Sequence, residues 1–600
     1  MSNHSKQSGF FIKGDVSGIQ EFIFNVKSEK AARVLNVRSA YIQMYTRIVK
    51  EYLKEQLKDI GTVEEFSEGG GSFFLFLESN QSSEELESII KEKEREANAK
   101  GMIDDLYIVL SVVGITDKDN FDYWNSITEV SNKDKLRKYA LAGSQEVGGA
   151  SPFHPFADDS ERYDWTGFAH EFPKRGIKQH ASDTVDQSPY LSKTQLSNLI
   201  TTFSLSERIS SVTKDRVAGG LFKDKIQNKL PEWHRALRKA YEKEINAEVE
   251  KRKEQARFKG TSEQDEEIDI NSIIDYSFLA YFASERTGTE KLGILKMDVD
   301  NLGLLFEQQK DQEEAKEISK DLKFFFEERL YELLQGDIKY KKDYKEHSNQ
   351  RPAYPDQYKD NIYTVFAGGD DCFFVGGWDT ILDWAALVRK EFKSYVTEKN
   401  IIHPKTGKIP TISAGVVIVG AKFPVIRFAE LAEEALSKAK ASNRWEAKNK
   451  ICLFDQMLTW NEFIKAKKWA NKLKALIEND EKKSTLEQIK RSAIGFEKLQ
   501  EKAIDGKISA PKIANLFYYI RRNINEKNIE TIEELVEEYK DALLEAFIKN
   551  RQRFSSNDDR SQGDSEDYVV KTNPMLLPIA ARWAEFLTRK NTKSDKNGKG

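Results

Sequence analysis

The chain contains one segment twice, and that repeat constrains its fold more than any other feature. Phe11-Ile12-Lys13-Gly14-Asp15-Val16-Ser17 can be laid on Leu295-Lys296-Met297-Asp298-Val299-Asp300 so that Lys13 meets Lys296 and Asp15 meets Asp298. Roughly fifty to seventy residues later each copy has Gly-Gly and a Phe-rich run, the self-similarity that marks a duplicated unit. The first copy reads Glu68-Gly69-Gly70-Gly71-Ser72-Phe73-Phe74, the second Ala367-Gly368-Gly369-Asp370-Asp371-Cys372-Phe373. Each then has a further Val-rich strand pattern.

In the first copy, a turn is expected at Gly14 to Gly18. Ile42, Tyr45, Val49 and Leu53 share one helical face, and Phe73 to Leu77 and Tyr107 to Val113 read as buried strands. In the second, a strand Leu292 to Met297 meets the turn Asp298-Val299-Asp300-Asn301. A helix then carries Ile318, Leu322, Phe325 and Phe326 inward. A hairpin follows (Tyr363 to Ala367, Cys372 to Val375), then a strand Thr411 to Val419 and a helix Phe428 to Lys440. Both are α/β units. Between them, 117–200 has weak periodicity and 200–285 a helical pattern broken by a polar loop after Gly260. Beyond 457 the pattern is helical, with Leu486, Ile489, Ala493, Phe496, Leu499 and Ala503 in helical spacing. Ser555 to Asp567 and the stretch after Arg589 are polar and of low complexity. The expected division is 1–116 (first unit), 117–286 (insert and helical domain), 287–456 (second unit) and 457–600 (helical). At about 150 residues per domain, 600 residues suit four domains.

Composition excludes several classes. No run of 18 apolar residues occurs, so no membrane span is expected. Lys+Arg 94 against Asp+Glu 98 gives a net charge of −4, which argues against a basic nucleic-acid binder acting alone. With 35 Phe and 22 Tyr, global disorder is excluded. Cys372 and Cys452 are the only cysteines, too few for a disulfide framework or a Cys-rich zinc site. The N-terminus lacks a signal-peptide apolar core, so a cytoplasmic protein is expected.

The copies differ where chemistry would sit. The second has Asp298, Asp370 and Asp371; the first keeps only Asp15, with Gly71 and Ser72 after its glycines. Mg²⁺ takes hard oxygen ligands, commonly one or two carboxylates plus phosphates and water. A carboxylate at a strand end and two in an adjacent hairpin can converge on such an ion. Gly368 and Gly369 would let a nucleotide approach the backbone, and Asn301-Leu302-Gly303 opens a helix whose free N–H groups can hold phosphates. The chemistry implied is nucleotidyl transfer, with one catalytic unit and one degenerate partner. Blander readings compete. Gly-Gly-Asp-Asp is an ordinary hairpin turn, Cys372 reads as a core thiol, and the seven His show no ligand spacing. Lys465 to Lys474 reads as a solvated face. Asp298-x-Asp300 is not an EF-hand loop, because Leu302 and Gln309 stand where ligands belong.

Residues 14–24 (Gly-Asp-Val-Ser-Gly-Ile-Gln-Glu-Phe-Ile-Phe), 68–73, 295–303 (Leu-Lys-Met-Asp-Val-Asp-Asn-Leu-Gly) and 367–371 (Ala-Gly-Gly-Asp-Asp) together resemble the large signature subunit of type III CRISPR effector complexes. Gly376-Gly377-Trp378-Asp379, Ser413-Ala414-Gly415 and Ile451-Cys452-Leu453-Phe454 resemble its Csm (type III-A) version. The resemblance implies an α+β multidomain fold: two ferredoxin-like palm domains related to GGDEF nucleotide cyclases, plus two mainly helical domains. It implies Mg²⁺- or Mn²⁺-dependent synthesis of cyclic oligoadenylate messengers from ATP, activated by target RNA. By position, Asp298, the Val299 carbonyl and Asp370 would hold metal. Asp371 would complete that site or assist deprotonation of the attacking 3′-hydroxyl. Ser17 and Gly18 would face nucleotide from the first palm, and Lys440 would meet phosphates.

The implied partners are a small helical subunit, a subunit binding the guide 5′ end, guide RNA and target RNA, with no membrane. Two departures from the family stand out. No His is followed by Asp, so HD-type cleavage of single-stranded DNA is expected to be absent. The paired zinc cysteines between the palms are also missing, so a metal-free insert at 117–200 is expected. Two other readings stay open, a catalytically silent ATP-binding scaffold and a standalone cyclic-nucleotide synthase.

Overall fold

The computed structural model describes residues 9–24, 31–101, 106–115, 123–136, 276–309, 312–335, 361–441, 448–492, 513–540, 573 and 575–589. The first repeat begins with β1 (Gly9–Ser17), which buries Phe10, Ile12 and Val16 on one face and Phe11 on the other. Two helices follow, α1 (Ile19–Phe24) and α2 (Ala31–Leu57). Then come β2 (Thr62–Gly69), β3 (Ser72–Glu78), α3 (Ser83–Gly101) and β4 (Tyr107–Ile115). The strands order β2-β3-β1-β4, all antiparallel, which is the ferredoxin-like arrangement. The turn expected from Gly14 is instead strand: Gly14 to Ser17 pair with Leu110 to Tyr107, and the chain turns only at Gly18, where φ is 83°.

The second repeat has the same plan: β5 (Lys291–Val299), α6 (Leu302–Glu307), α7 (Gln312–Phe324), β6 (Ile362–Gly368), β7 (Asp371–Gly377), α8 (Trp378–Glu398) and β8 (Ile412–Gly420). Its sheet contains the same four-strand core in the order β8-β5-β7-β6. That core is extended by β9 (Lys450–Leu453), parallel to β8, and β10 (Gln456–Thr459). Registers agree in detail. Asp15 lies opposite Ser72, and Asp298 opposite Asp371. Each hairpin has a bulge three residues before its pairing glycine, at Phe66 and Val365. α7 continues into a π-helical turn, Phe325–Arg329, in which Phe325 and Phe326 are both buried.

The outer edges are closed differently. β8 is covered by β9, whereas β4 meets side chains of α3. Asn98 accepts from Ile108 N and donates to Ile108 O, both at 2.8 Å. Glu94 accepts from Leu110 N at 2.7 Å, and Lys91 donates to Leu110 O at 2.8 Å. α4 (Tyr123–Leu136) packs on β4 and β1, so the segment just beyond 116 packs with the first sheet. α5 (Tyr276–Thr287) packs on β5 and β7.

The two repeats share apolar cores. Phe24 of α1 meets the Phe373 ring at 4.7 Å, and Trp124 of α4 meets Phe306 at 4.8 Å. Their hairpin tips touch backbone to backbone: a Cβ on Gly69 would lie 3.0 Å from Gly369 Cα. C-terminal helices dock on the second sheet. α10 (Trp460–Glu478) starts with a Thr459–Glu462 capping box, and Trp460 Nε1 donates to Ile412 O at 3.1 Å. α11 (Ser484–Ser492), α12 (Ile513–Asn523), a helical stretch at 529–540 and α13 (Leu576–Leu587) are described there as well. Lys467 and Lys472 of α10 pair with Asp383 and Glu534 at 2.6 and 3.0 Å, as a solvated face would. Ala493 to Ala503, most of 117–285 and both low-complexity stretches lie outside the described residues. Among the described residues, no helix is long and apolar enough to cross a membrane.

Candidate active site

Strand pairing brings the expected carboxylates to one end of the second sheet. Asp298 is the penultimate residue of β5, opposite Asp371 on β7 and Ser413 on β8. Asp370 occupies the turn, and its carbonyl accepts from Val299 N at 3.1 Å, which ties the hairpin tip to the strand end. The first unit has the matching bond, Val16 N to Gly71 O at 2.9 Å. Burial, reinforced by Asp298, pushes the Asp370 carboxyl up to about 6. Burial and the neighbouring Asp370 push Asp371 well above the carboxylate range. Burial raises Asp298 too, against the opposing pull of Lys440.

Cations answer this charge. Lys440, in the last turn of α9 (Phe428–Lys440), forms an ion pair with Asp298 and lies 3.3 Å from the Val299 carbonyl. Lys296 on β5 pairs with Glu433 of α9 and lies 4.0 Å from Asp371. Glu433 also accepts from Gln20, so the turn carrying Ser17 and Gly18 reaches the second palm. Asn301 (φ 58°) precedes α6, its side-chain oxygen accepts from Lys448 at 2.7 Å, and Gly303 borders open space. Leu302 opens α6 beside it.

Asp300 has a different role from its neighbour Asp298. It is buried and accepts from Thr411 and Ser413 hydroxyls, both at 2.7 Å, and from Asn449 N at 2.9 Å. It therefore fixes β8 to the chain entering β9. Gly368 and Gly369 lie at the tip of the second hairpin. They face Gly69 and Gly70, so their lack of side chains lets the two palms approach. Cys372 is a buried core thiol, pushed well up by burial.

Among the described residues, no group of three or more His, Cys, Asp or Glu side chains is arranged to hold a metal. Asp298, Asp370 and Asp371 thus share a strand end without forming a closed cage, and Lys440 sits on one of them. That donor set suits Mg²⁺ better than Zn²⁺ or Ca²⁺. It offers hard oxygens only, and Mg²⁺ commonly completes its shell with substrate phosphates. Residues that sequence reasoning missed are Lys135, Asp300, Lys448 and Glu433. Lys135, in the last turn of α4, meets Asp15 at 2.8 Å much as Lys440 meets Asp298, and Lys13 adds a second contact at 2.9 Å. The signal for Lys135 was a helix following the fourth strand of each repeat.

A ferredoxin-like palm duplicated within one chain, with strand-end and hairpin carboxylates kept in one copy, defines a paired-palm protein with a single acidic site. Comparison agrees: residues 291–452 match the family model "Cas10/Cmr2, second palm domain" and residues 9–147 match "Csm1 subunit domain B". The chain belongs to the Cas10/Csm1 family. It is 26% identical over 541 residues to the CRISPR system single-strand-specific deoxyribonuclease Cas10/Csm1 (subtype III-A) of Methanocaldococcus jannaschii, covering 79% of this chain and 62% of that protein. The protein of the same description from Thermococcus onnurineus is 24% identical over 456 residues, covering 72% of this chain and 54% of that protein. The chain therefore spans between about half and three-fifths of these relatives' lengths. The fold matches the crystal structure of the apo Csm1-Csm4 cassette with a TM-score of 0.50 at 16% identity, over 98% of this chain and 70% of that one. The Csm1-Csm4 cassette in complex with cA3 matches with the same TM-score and coverage.

Proposed function

We propose that this chain is the large subunit of a cytoplasmic type III-A CRISPR effector and makes cyclic oligoadenylates from ATP when target RNA is bound. The observation that carries this reading is the register match. Asp298, Asp370 and Asp371 stand where the first palm has Asp15, Gly71 and Ser72. Asp298, the Val299 carbonyl and Asp370 would hold Mg²⁺ or Mn²⁺, which when bound would polarise the α-phosphate. Asp371, whose carboxyl burial and the neighbouring Asp370 push well up, would be the group that takes a proton. The 3′-hydroxyl of one ATP then bonds to the α-phosphorus of another, pyrophosphate leaves, and the hydroxyl proton passes to Asp371. Lys440 and Lys448 flank the start of α6 and would hold phosphates with Asn301, Leu302 and Gly303. Ser17 and Gly18 would face the second nucleotide. Gly368 and Gly369 would border both nucleotides from the interface between the palms.

The similar solved chains were crystallised with a Csm4 partner, some with ATP, cA3 or cA4. We infer a comparable partner here, together with a small helical subunit, guide RNA and target RNA. The relatives' names describe a single-strand-specific deoxyribonuclease. This reading assigns no HD-type nuclease step and no zinc to these residues, and cleavage of single-stranded DNA by this chain would count against it. The domain division 1–116, 117–286, 287–456 and 457–600 is part of the same proposal, with α4 packed on the first palm.

One observation favours a silent scaffold: the Lys440 ammonium already neutralises Asp298. A standalone symmetric synthase is disfavoured, because Gly71 and Ser72 supply no carboxylate. Reconstitution with guide RNA and partner subunits, then addition of target RNA, ATP and Mg²⁺, separates these readings. Cyclic product is expected, reduced on the order of 10³-fold or more in Asp370→Ala/Asp371→Ala and unchanged in Ser72→Ala. Absence of product, or equal product from the double variant, would sink the enzyme reading.

A further inference from the structure

Beneath the crossing of the two glycine hairpins lies an ionic cluster, and nothing in the chemistry above uses it. Glu68 immediately precedes Gly69, and its carboxylate is almost fully buried. It accepts from Arg47 Nε at 2.6 Å and from Lys50, whose side chain is fully buried, and Lys323 of the second palm lies 3.8 Å away. Arg47 also reaches across to Glu327 at 3.7 Å. Glu327 sits in the π-helical turn, and its Oε1 would be 3.7 Å from a Cβ on Gly368. Arg47 and Glu68 of the first palm thus lie one side chain, Glu327, away from the second hairpin. Asp370 and Asp371 follow that hairpin's glycines directly.

The geometry of the cluster is uneven. Bonds within the first palm are short, whereas both contacts across the boundary lie near 4 Å, where a strut still transmits position without a direct hydrogen bond. A cluster placed only for stability would have no reason to meet both glycine turns. A surface pair crossing the same boundary farther off, Lys316 with Glu64, touches neither turn.

We propose that Arg47, Glu68 and Glu327 are positioning residues that set the spacing of the two hairpins and thereby deliver Asp370 and Asp371 to the reacting nucleotides. The inference rests on the function proposed above. It requires that loosening the cluster slows the chemical step while leaving ATP affinity intact, since none of the three residues is placed against nucleotide. A displacement of about 1 Å at such a site can cost up to ~100-fold in rate.

The test uses the reconstituted complex with full-length chain. Glu327→Gln, Arg47→Met and their double variant are compared with Lys316→Ala for kcat and KM of product formation. Glu68→Asp serves as the conservative variant, because Glu68→Ala would leave Arg47 without its 2.6 Å partner and Lys50 with only Glu65 and Glu51. Expected are an unchanged melting temperature in Glu327→Gln, a lowered one in Arg47→Met, which takes a 2.6 Å partner from the buried Glu68, and in each single variant an unchanged KM and a kcat lowered at least about tenfold. The double variant should lose no more than the worse single one, Glu68→Asp should be intermediate and Lys316→Ala silent. An unchanged kcat, a shift confined to KM, additive losses or an equal loss in Lys316→Ala would each overturn the proposal. If the unaltered complex makes no product, the function fails but the positioning claim can still be judged. Spin labels at Glu87→Cys in α3 and Lys393→Cys in α8, both exposed, then report the spacing of the palms, and the native cysteines are buried. A broadened distance distribution in Glu327→Gln supports the claim, and an unchanged one overturns it.

Discussion

The two hairpin tips are built on different turns. In the first palm Gly70 and Gly71 both have positive φ, 59° and 85°, the signature of a type I′ turn. In the second only Gly369 does, at 70°, as in a type II′ turn. Asp370 therefore sits at a position any side chain tolerates, while its counterpart Gly71 sits where an L-residue is strained. The degenerate palm thus differs in backbone as well as in side chain. Restoring its carboxylates would require rebuilding the turn. The residue just before the turn differs as well: Glu68 in one palm, Ala367 in the other.

That last contrast has the largest consequence for stability. Burial opposes ionisation of Glu68, but Lys323, Lys50 and Arg47 outweigh it and hold its carboxyl down at about 2, against an ordinary 4.5. The folded-state value is depressed, so the stabilisation is full above about pH 4.5 and is lost as pH falls toward 2. It amounts to at most roughly 3 kcal/mol. Denaturant unfolding between pH 6 and pH 3 should show a steeper acid loss for the native chain than for Glu68→Gln. Equal slopes would mean the first palm's charge is no more than surface decoration. Gly71→Asp should destabilise by about 1–2 kcal/mol through its φ and restore no activity. A stable variant with added product formation would erase the distinction between the turns. Lys135→Ala should change stability by less than about 1 kcal/mol, since Lys13 still pairs with Asp15 and the lost pair is partly solvated. Product formation should not change. A clear loss of product would show that both palms do chemistry.

Much of this was legible in the sequence because it is local. Phe73 to Leu77, Cys372 to Val375 and Phe428 to Lys440 carry their periodicity within themselves, and the alignment of Asp15 with Asp298 survives in the strand registers. What escaped depends on distant partners. Asp300 looks like a second ligand until Thr411, Ser413 and Asn449, more than a hundred residues away, converge on it. Lys135 lies in a segment of weak pattern, and its role appears only once α4 is seen packed on β1. The π-helical turn left no trace, since adjacent apolar residues are buried together in regular helix as well, as Ile381 and Leu382 of α8 are. Glu68 and Glu327 had none, because charged residues are ordinarily read as surface.

The side chains along β4 carry a consequence of another kind. A bare sheet edge offers its amides as a template for other chains, and natural sheets blunt that hazard with strands, charges or covering elements. Here Lys91, Glu94 and Asn98, on one face of α3, occupy those amides as a strand would. Among the described residues, these three side chains therefore blunt the edge at Ile108 and Leu110. Damage there would surface as clumping at high concentration, in a protein whose chemistry was still intact.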